Sequence, residues 1–134
     1  LLRMRTQLLI GSLVCSATCF AQRTVTVTDA ICDPAGMTKV VPLHSDSACS
    51  SFLICVPRGV PPHFHAHHTE HVSVLAGEGT MRLGDSTFTV AAGTSIVIPK
   101  GTVHAVITTS SDPLRVISVQ APYFDGTDRV FVDP

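Results

Sequence analysis

Apolar and polar positions alternate along most of this chain after its first twenty-odd residues. RTVTVTD (23–29) sets valine against threonine with period two, the pattern of a half-buried strand. SSFLICV (50–56), HVSVLAG (71–77), TMRLG (80–84), STFTVAA (86–92), TSIVIP (94–99), HAVITT (104–109) and LRVISVQ (114–120) follow, each rich in β-branched residues. Turn residues separate them: Pro57-Arg58-Gly59, Gly77-Glu78-Gly79, Gly84-Asp85, Gly93, Pro99-Lys100-Gly101 and Asp112-Pro113. RVFVDP (129–134) reads as a last edge strand or a terminal arm. No stretch has a helical period. Many short strands at regular spacing predict an all-β domain, a sandwich or a small barrel.

The N-terminal pattern is different. LLIGSLVCSATCF (8–20) is an apolar run too short to span a bilayer comfortably, behind the polar, positively charged start Met4-Arg5-Thr6-Gln7. Small residues, Cys19 and Ala21, stand at the −3 and −1 places of a cleavage site. This predicts a secretory signal peptide over residues 1–21, with Leu1 to Arg3 as an upstream or non-standard start. Residues 22–134 are then one domain in the periplasm or outside the cell, with no membrane span left after cleavage. A lipoprotein anchor at Cys15 or Cys19 is a weaker reading, since Val14 and Thr18 fit poorly before a lipid-bearing cysteine.

Removing Arg3 and Arg5 leaves seven basic residues against ten acidic ones, a net charge of −3. No basic stripe is present, so nucleic acid is not an expected partner. Cys32, Cys49 and Cys55 remain, and in an oxidising compartment two of them pair. The expected pair is Cys32–Cys49, because Cys55 sits in FLICV, which reads as a buried strand. Three reduced thiols are the alternative.

PPHFHAHHTEH (61–71) puts five histidines and Glu70 into eleven positions. If the tract is a strand end, His63 and His65 point the same way, about 6.6 Å apart along the strand. Two imidazoles at that spacing can share one ion at about 2.1 Å each. Ala66 to Thr69 would turn. On the next strand Glu70, Val72 and Val74 share one face and His71, Ser73 and Leu75 the other. The valines mark the first face as buried, which puts Glu70 inside and His71 outside. His67 and His68 fall in the loop. A further ligand must come from a distant strand, and His104 opens one.

Here the chain resembles the cupins. His63-Phe64-His65, four residues, Glu70, then six residues to Gly77 match the first cupin motif; Gly93, Pro99, Gly101 and His104 match the second at every spacing. Thr108 stands in place of its closing asparagine, Thr94 where many members have Asp, and Gly59 is displaced upstream. The likeness covers about residues 45–124. It implies a double-stranded β-helix, or jelly-roll, barrel with a metal site of His63, His65, Glu70 and His104. A rival set, His65, His67, His71 and His104, requires His71 to face inward. The likeness further implies a homodimer, and a tail, APYFDGTDRVFVD (121–133), packed across the barrel or the partner.

Three imidazoles and a carboxylate suit one divalent transition metal ion: Fe, Mn, Ni, Cu or Zn. Four ligands leave positions open for chemistry. Glu70 is the expected catalytic residue, as ligand or as base. Val72, Val74, Met81, Ile96, Ile98 and Val106 are the expected inward neighbours, with Arg82 outward and Arg58 and Arg115 unplaced. With no arginine among them, the sequence favours a small neutral substrate, and the resemblance to cupins implies dioxygenase-like oxidoreductase chemistry. The alternative is a non-catalytic module that binds a metal or a small ligand.

Overall fold

The computed structural model describes residues 24, 26 and 32–133. The expected signal peptide and nearly all of the strand expected at 23–29 lie outside them. The described chain forms ten strands: β1 (Lys39–Ser45), β2 (Ser50–Val56), β3 (Gly59–Phe64), β4 (Thr69–Ala76), β5 (Glu78–Leu83), β6 (Ser86–Ala91), β7 (Ser95–Ile98), β8 (His104–Thr108), β9 (Leu114–Ala121) and β10 (Val130–Phe131). They build two five-stranded sheets, ordered β1-β2-β9-β4-β7 and β10-β3-β8-β5-β6. All strand pairs are antiparallel. This is the expected all-β jelly roll.

Two strands escape the alternation rule. β1 (KVVPLHS) is an edge strand, exposed at most positions, with a register shift between Pro42 and His44. It buries no face, so it has no period to read, and an edge is where proline is tolerated in a sheet. β3 carries Pro61-Pro62, and its ladder with β8 skips between Val60 and His63. The prolines cannot donate to that ladder, and the skip brings His63 directly opposite His104.

The core lies between the sheets. Val56, Val74, Met81, Val90, Ile96, Ile98 and Leu114 form its buried cluster. All six expected inward residues line a cavity of about 200 Å³ that runs through this core. Arg82 is exposed, as alternation requires. Gly77, between β4 and β5, has φ +79°, and a Cβ there would sit 2.7 Å from the Pro113 carbonyl oxygen. Only glycine allows that crossing.

The cysteine expectation is corrected. Cys32 pairs with Cys55, with Cα atoms 5.6 Å apart, and Cys49 is free. The hairpin explains it. Lys39 of β1 lies opposite Cys55 of β2, so the chain entering β1 passes that end of β2. A turn held by Gly36 N–H on the Asp33 carbonyl brings Cys32 alongside. Cys49 sits at the far end of the hairpin, in the turn held by Asp46. Burial of Cys55 signalled a disulfide, not a lone thiol.

Candidate metal centre

Both sheets feed one cluster. β3 and β8 supply His63 and His104 as a cross-strand pair, with ring centroids 4.2 Å apart. His65 lies just past the end of β3, 5.2 Å from the His63 ring. Glu70 comes from the other sheet, on β4, between Ile98 and Gln120. All four are buried. Alternation on β4 holds as expected: Glu70 and Val74 are buried, His71 and Leu75 exposed.

Each histidine is oriented by a backbone carbonyl. His63 Nδ1 donates to Pro61 O at 2.9 Å, His104 Nδ1 to Thr102 O at 3.0 Å, and His65 Nδ1 to Asp128 O. In a neutral ring this leaves the lone pair on Nε2. The three rings have ligand atoms within 4.8 Å of one another. Glu70 Oε2 lies 3.4 Å from His65 Nε2 and 3.3 Å from His104 Nε2. Those contacts miss hydrogen-bond geometry, so both Nε2 atoms are buried without a hydrogen-bond partner. Glu70 Oε1 accepts from Ser118 Oγ.

The charges follow from these surroundings. Burial disfavours a protonated His63 and pushes its pKa down to about 4. Burial also opposes charge on His65, but the Glu70 carboxylate and the Asp128 carbonyl outweigh it and raise the pKa. Burial would raise Glu70; His104, His65 and the Ser118 hydroxyl overcome it and hold the carboxyl well below its usual range. Three buried histidines with converging free nitrogens are a set that could hold a metal ion, and an ionised carboxylate stands beside them.

The other histidines do not join. His67 and His71 are exposed, and His71 Nε2 meets Ser95 Oγ at 2.6 Å. The rival set needs both, and the structure brings neither to the cluster. His68 is buried but turned away, Nδ1 to Asp128 Oδ2 and Nε2 to Tyr123 O at 2.9 Å.

Four contributors went unread in the sequence. Ser118 and Gln120 continue the inward parity of Leu114 on β9 and are fully buried, so alternation alone could have found them. Asp128 accepts the N–H groups of Ala66 and His67 at 2.9 and 2.8 Å, besides the His68 ring. Its acid is held well below its usual range: desolvation acts against this, but His68 and the two N–H groups prevail. The tail thus packs on its own barrel. Phe124 seats edge-on against His65 and His68, with Ser50 Oγ holding its backbone. The fourth, Arg129, lines the cavity. The neutral-substrate expectation assumed that no arginine does, and that premise fails.

The departures from the motifs have local explanations. Thr108 Oγ1 donates to Val56 O at 2.8 Å, and Thr94 Oγ1 accepts from Ala91 N–H at 3.0 Å, closing the turn before β7. Gly101, φ +78°, sits in the turn closed by Thr102 N–H on Pro99 O and donates its own N–H to His65 O at 2.6 Å. The second motif therefore both presents His104 and pins the segment bearing His65.

Residues 52–120 fit the cupin domain model. The chain is 32% identical over 95 residues to an uncharacterized protein of Aquifex aeolicus, across 71% of this chain and 78% of that one. It is 33% identical over 66 residues to mannose-1-phosphate guanylyltransferase RfbM of Salmonella typhimurium, across 49% of this chain but 14% of that protein. An uncharacterized conserved protein with a double-stranded beta-helix domain from Klebsiella pneumoniae superposes with a TM-score of 0.69 at 19% identity, over 84% of this chain and 100% of that one. The matched segment runs from β2 through Gln120 and encloses His63, His65, Glu70 and His104; the chain belongs to the cupin family.

Proposed function

We propose that His63, His65, Glu70 and His104 hold one divalent transition metal ion (Fe, Mn, Ni, Cu or Zn), and that the chain is a metal-dependent oxidoreductase of the dioxygenase type acting on a small molecule. The carrying observation is the pair of buried Nε2 atoms without hydrogen-bond partners. Lone pairs that converge on each other and on a carboxylate oxygen, away from water, call for a cation among them. When bound, the ion supplies Lewis acidity and, where redox-active, an electron path between substrate and dioxygen.

The chain's own groups do the rest. Ser118 fixes Glu70, and Asp128 fixes the ring of His65. Val72, Met81, Ile96 and Val106 keep water from the cavity and receive the apolar part of a substrate. Glu70 is also the candidate base, but a carboxylate so strongly stabilised as an ion accepts protons poorly until its contacts with His104, His65 and Ser118 are broken. That favours its ligand role, and it favours the second reading, a non-catalytic binding module, more than any other feature does.

We include export and self-association in the proposal. The apolar run at 8–20 and the Cys32–Cys55 disulfide support an oxidising compartment. Val97, 58% exposed on the edge strand β7, is an apolar position of the kind that a second copy covers.

Elemental analysis of protein purified from its own host, without chelator or histidine tag, tests the metal. About one equivalent is expected. Well-folded protein that holds none and takes none up would sink the proposal. With the metal known, oxygen consumption across a panel of aromatic substrates separates enzyme from binding module.

A further inference from the structure

We infer that Arg129 binds an anionic group, a carboxylate or a phosphate, so that the ligand of this cavity is a small organic anion. The inference rests on the reading above in one respect: the ligand occupies the cavity onto which the histidine cluster opens.

Arg129 lines that cavity together with His63, Glu70, His104 and Phe131. Its Nε is buried and has no hydrogen-bond partner. None of the ion pairs among the described residues includes it. A buried guanidinium N–H without an acceptor is costly, so its retention asks for an acceptor that arrives from outside the fold. Glu70 is the nearby carboxylate among the cavity-lining residues, and it is already engaged. Its Oε1 takes the Ser118 hydroxyl, and its Oε2 faces His65 and His104. The positive charge of Arg129 reaches the cluster, where it works against protonation of His63 and His65.

The charge balance points the same way. Neutral imidazoles, one carboxylate, one guanidinium and a divalent ion sum to +2 in a largely apolar chamber. A carboxylate or phosphate lowers that, and the planar guanidinium fork suits either in a two-point contact. Phe131 and the valine and isoleucine walls leave room for a hydrocarbon or aromatic body. The cavity, about 200 Å³, is smaller than the ~300–1,000 Å³ of sites for drug-sized ligands. The ligand is therefore compact.

The test uses the full metal-loaded chain and three probes of similar shape: benzoate, phenyl phosphate and neutral benzamide. By calorimetry at least one anion should bind about tenfold or more tighter than benzamide. Arg129→Gln should level the three affinities while metal content stays unchanged, and Arg129→Lys should restore part of the preference. The Nε–H resonance of Arg129, assigned in the native chain by through-bond correlation to its own backbone, should shift with the anions and not with benzamide. If Arg129→Gln does not fold, this resonance in the native chain decides. The ranking of benzoate against phenyl phosphate tells which oxyanion the site takes. Equal affinities, no binding of any probe, or a preference that survives Arg129→Gln overturns the inference, and the metal content of the same samples leaves the metal reading standing. Protein that holds no metal but still prefers anions through Arg129 keeps the inference and sinks the metal reading.

Discussion

Val56, Val90 and Leu114 are 3%, 2% and 1% exposed; His65, His104 and Glu70 are 2%, 4% and 6% exposed. The two groups share one barrel interior and nearly the same burial, but burial acts on them with opposite sign. Each apolar side chain contributes about 1.5–3 kcal/mol by leaving water. Each polar one loses hydration, and two ring nitrogens regain no hydrogen bond. The apolar half must offset the polar half. What the polar half supplies instead is a set of donors already aimed at one point, which a metal would otherwise have to gather from a flexible chain.

Breaking the polar half should have the largest effect. His104→Ala is expected to take metal content from about one equivalent to near zero, read by elemental analysis, while the metal-free fold stays intact. If His104→Ala keeps its metal, the ligand set is wrong. Leu114→Ala attacks the other half. It should lower unfolding free energy by about 2–5 kcal/mol in urea and leave metal stoichiometry in the folded fraction unchanged. Loss of metal from the folded fraction of Leu114→Ala, or loss of the metal-free fold in His104→Ala, would show that the two halves are not separable.

Asp128→Asn sharpens the comparison from outside the cluster. The backbone carbonyl that orients His65 remains, but the carboxylate that gathers Ala66, His67 and His68 is weakened. Metal affinity should fall about 10–100-fold, measured by competition with a chelator. The smallest effect is in pH. The folded pKa of His63, about 4, lies below the 6.5 of an ordinary histidine, so between those values the unfolded chain takes up more protons. Metal-free protein should therefore lose stability as pH falls from 6.5 to 4, by roughly 1–2 kcal/mol after discounting for partial solvation. His65 acts oppositely: its contribution is present below 6.5 and fades as pH rises through its raised pKa. Urea titrations of native protein and His63→Gln should differ in slope only in the acid window.

The sequence made the barrel legible where strands have one wet and one dry face. On β4 the valines at 72 and 74 were enough to send Glu70 inward and His71 outward, and the cavity walls followed from the same parity. It was silent where no face alternates. β1 lies exposed at an edge and carries Pro42, so nothing periodic marks it. The Cys32–Cys55 pair depends on which end of a hairpin the chain enters, a fact of register. Asp128 and Arg129 sit in a tail held by individual hydrogen bonds and one short strand pairing, and spacing carries no sign of such contacts.

The Asp128 contact also sets an order of events during synthesis. Once Gln120 has been made, all four donor side chains exist, and the strands that carry them can pair. The oxygen that turns His65, and the carboxylate that closes its loop, come eight residues later. A chain cut short at the end of β9 would have the complete motif and an unfinished site. A metal would thus find His65 oriented only after Asp128 has been made, so that the site distinguishes a chain that includes this tail from a fragment that stops at β9.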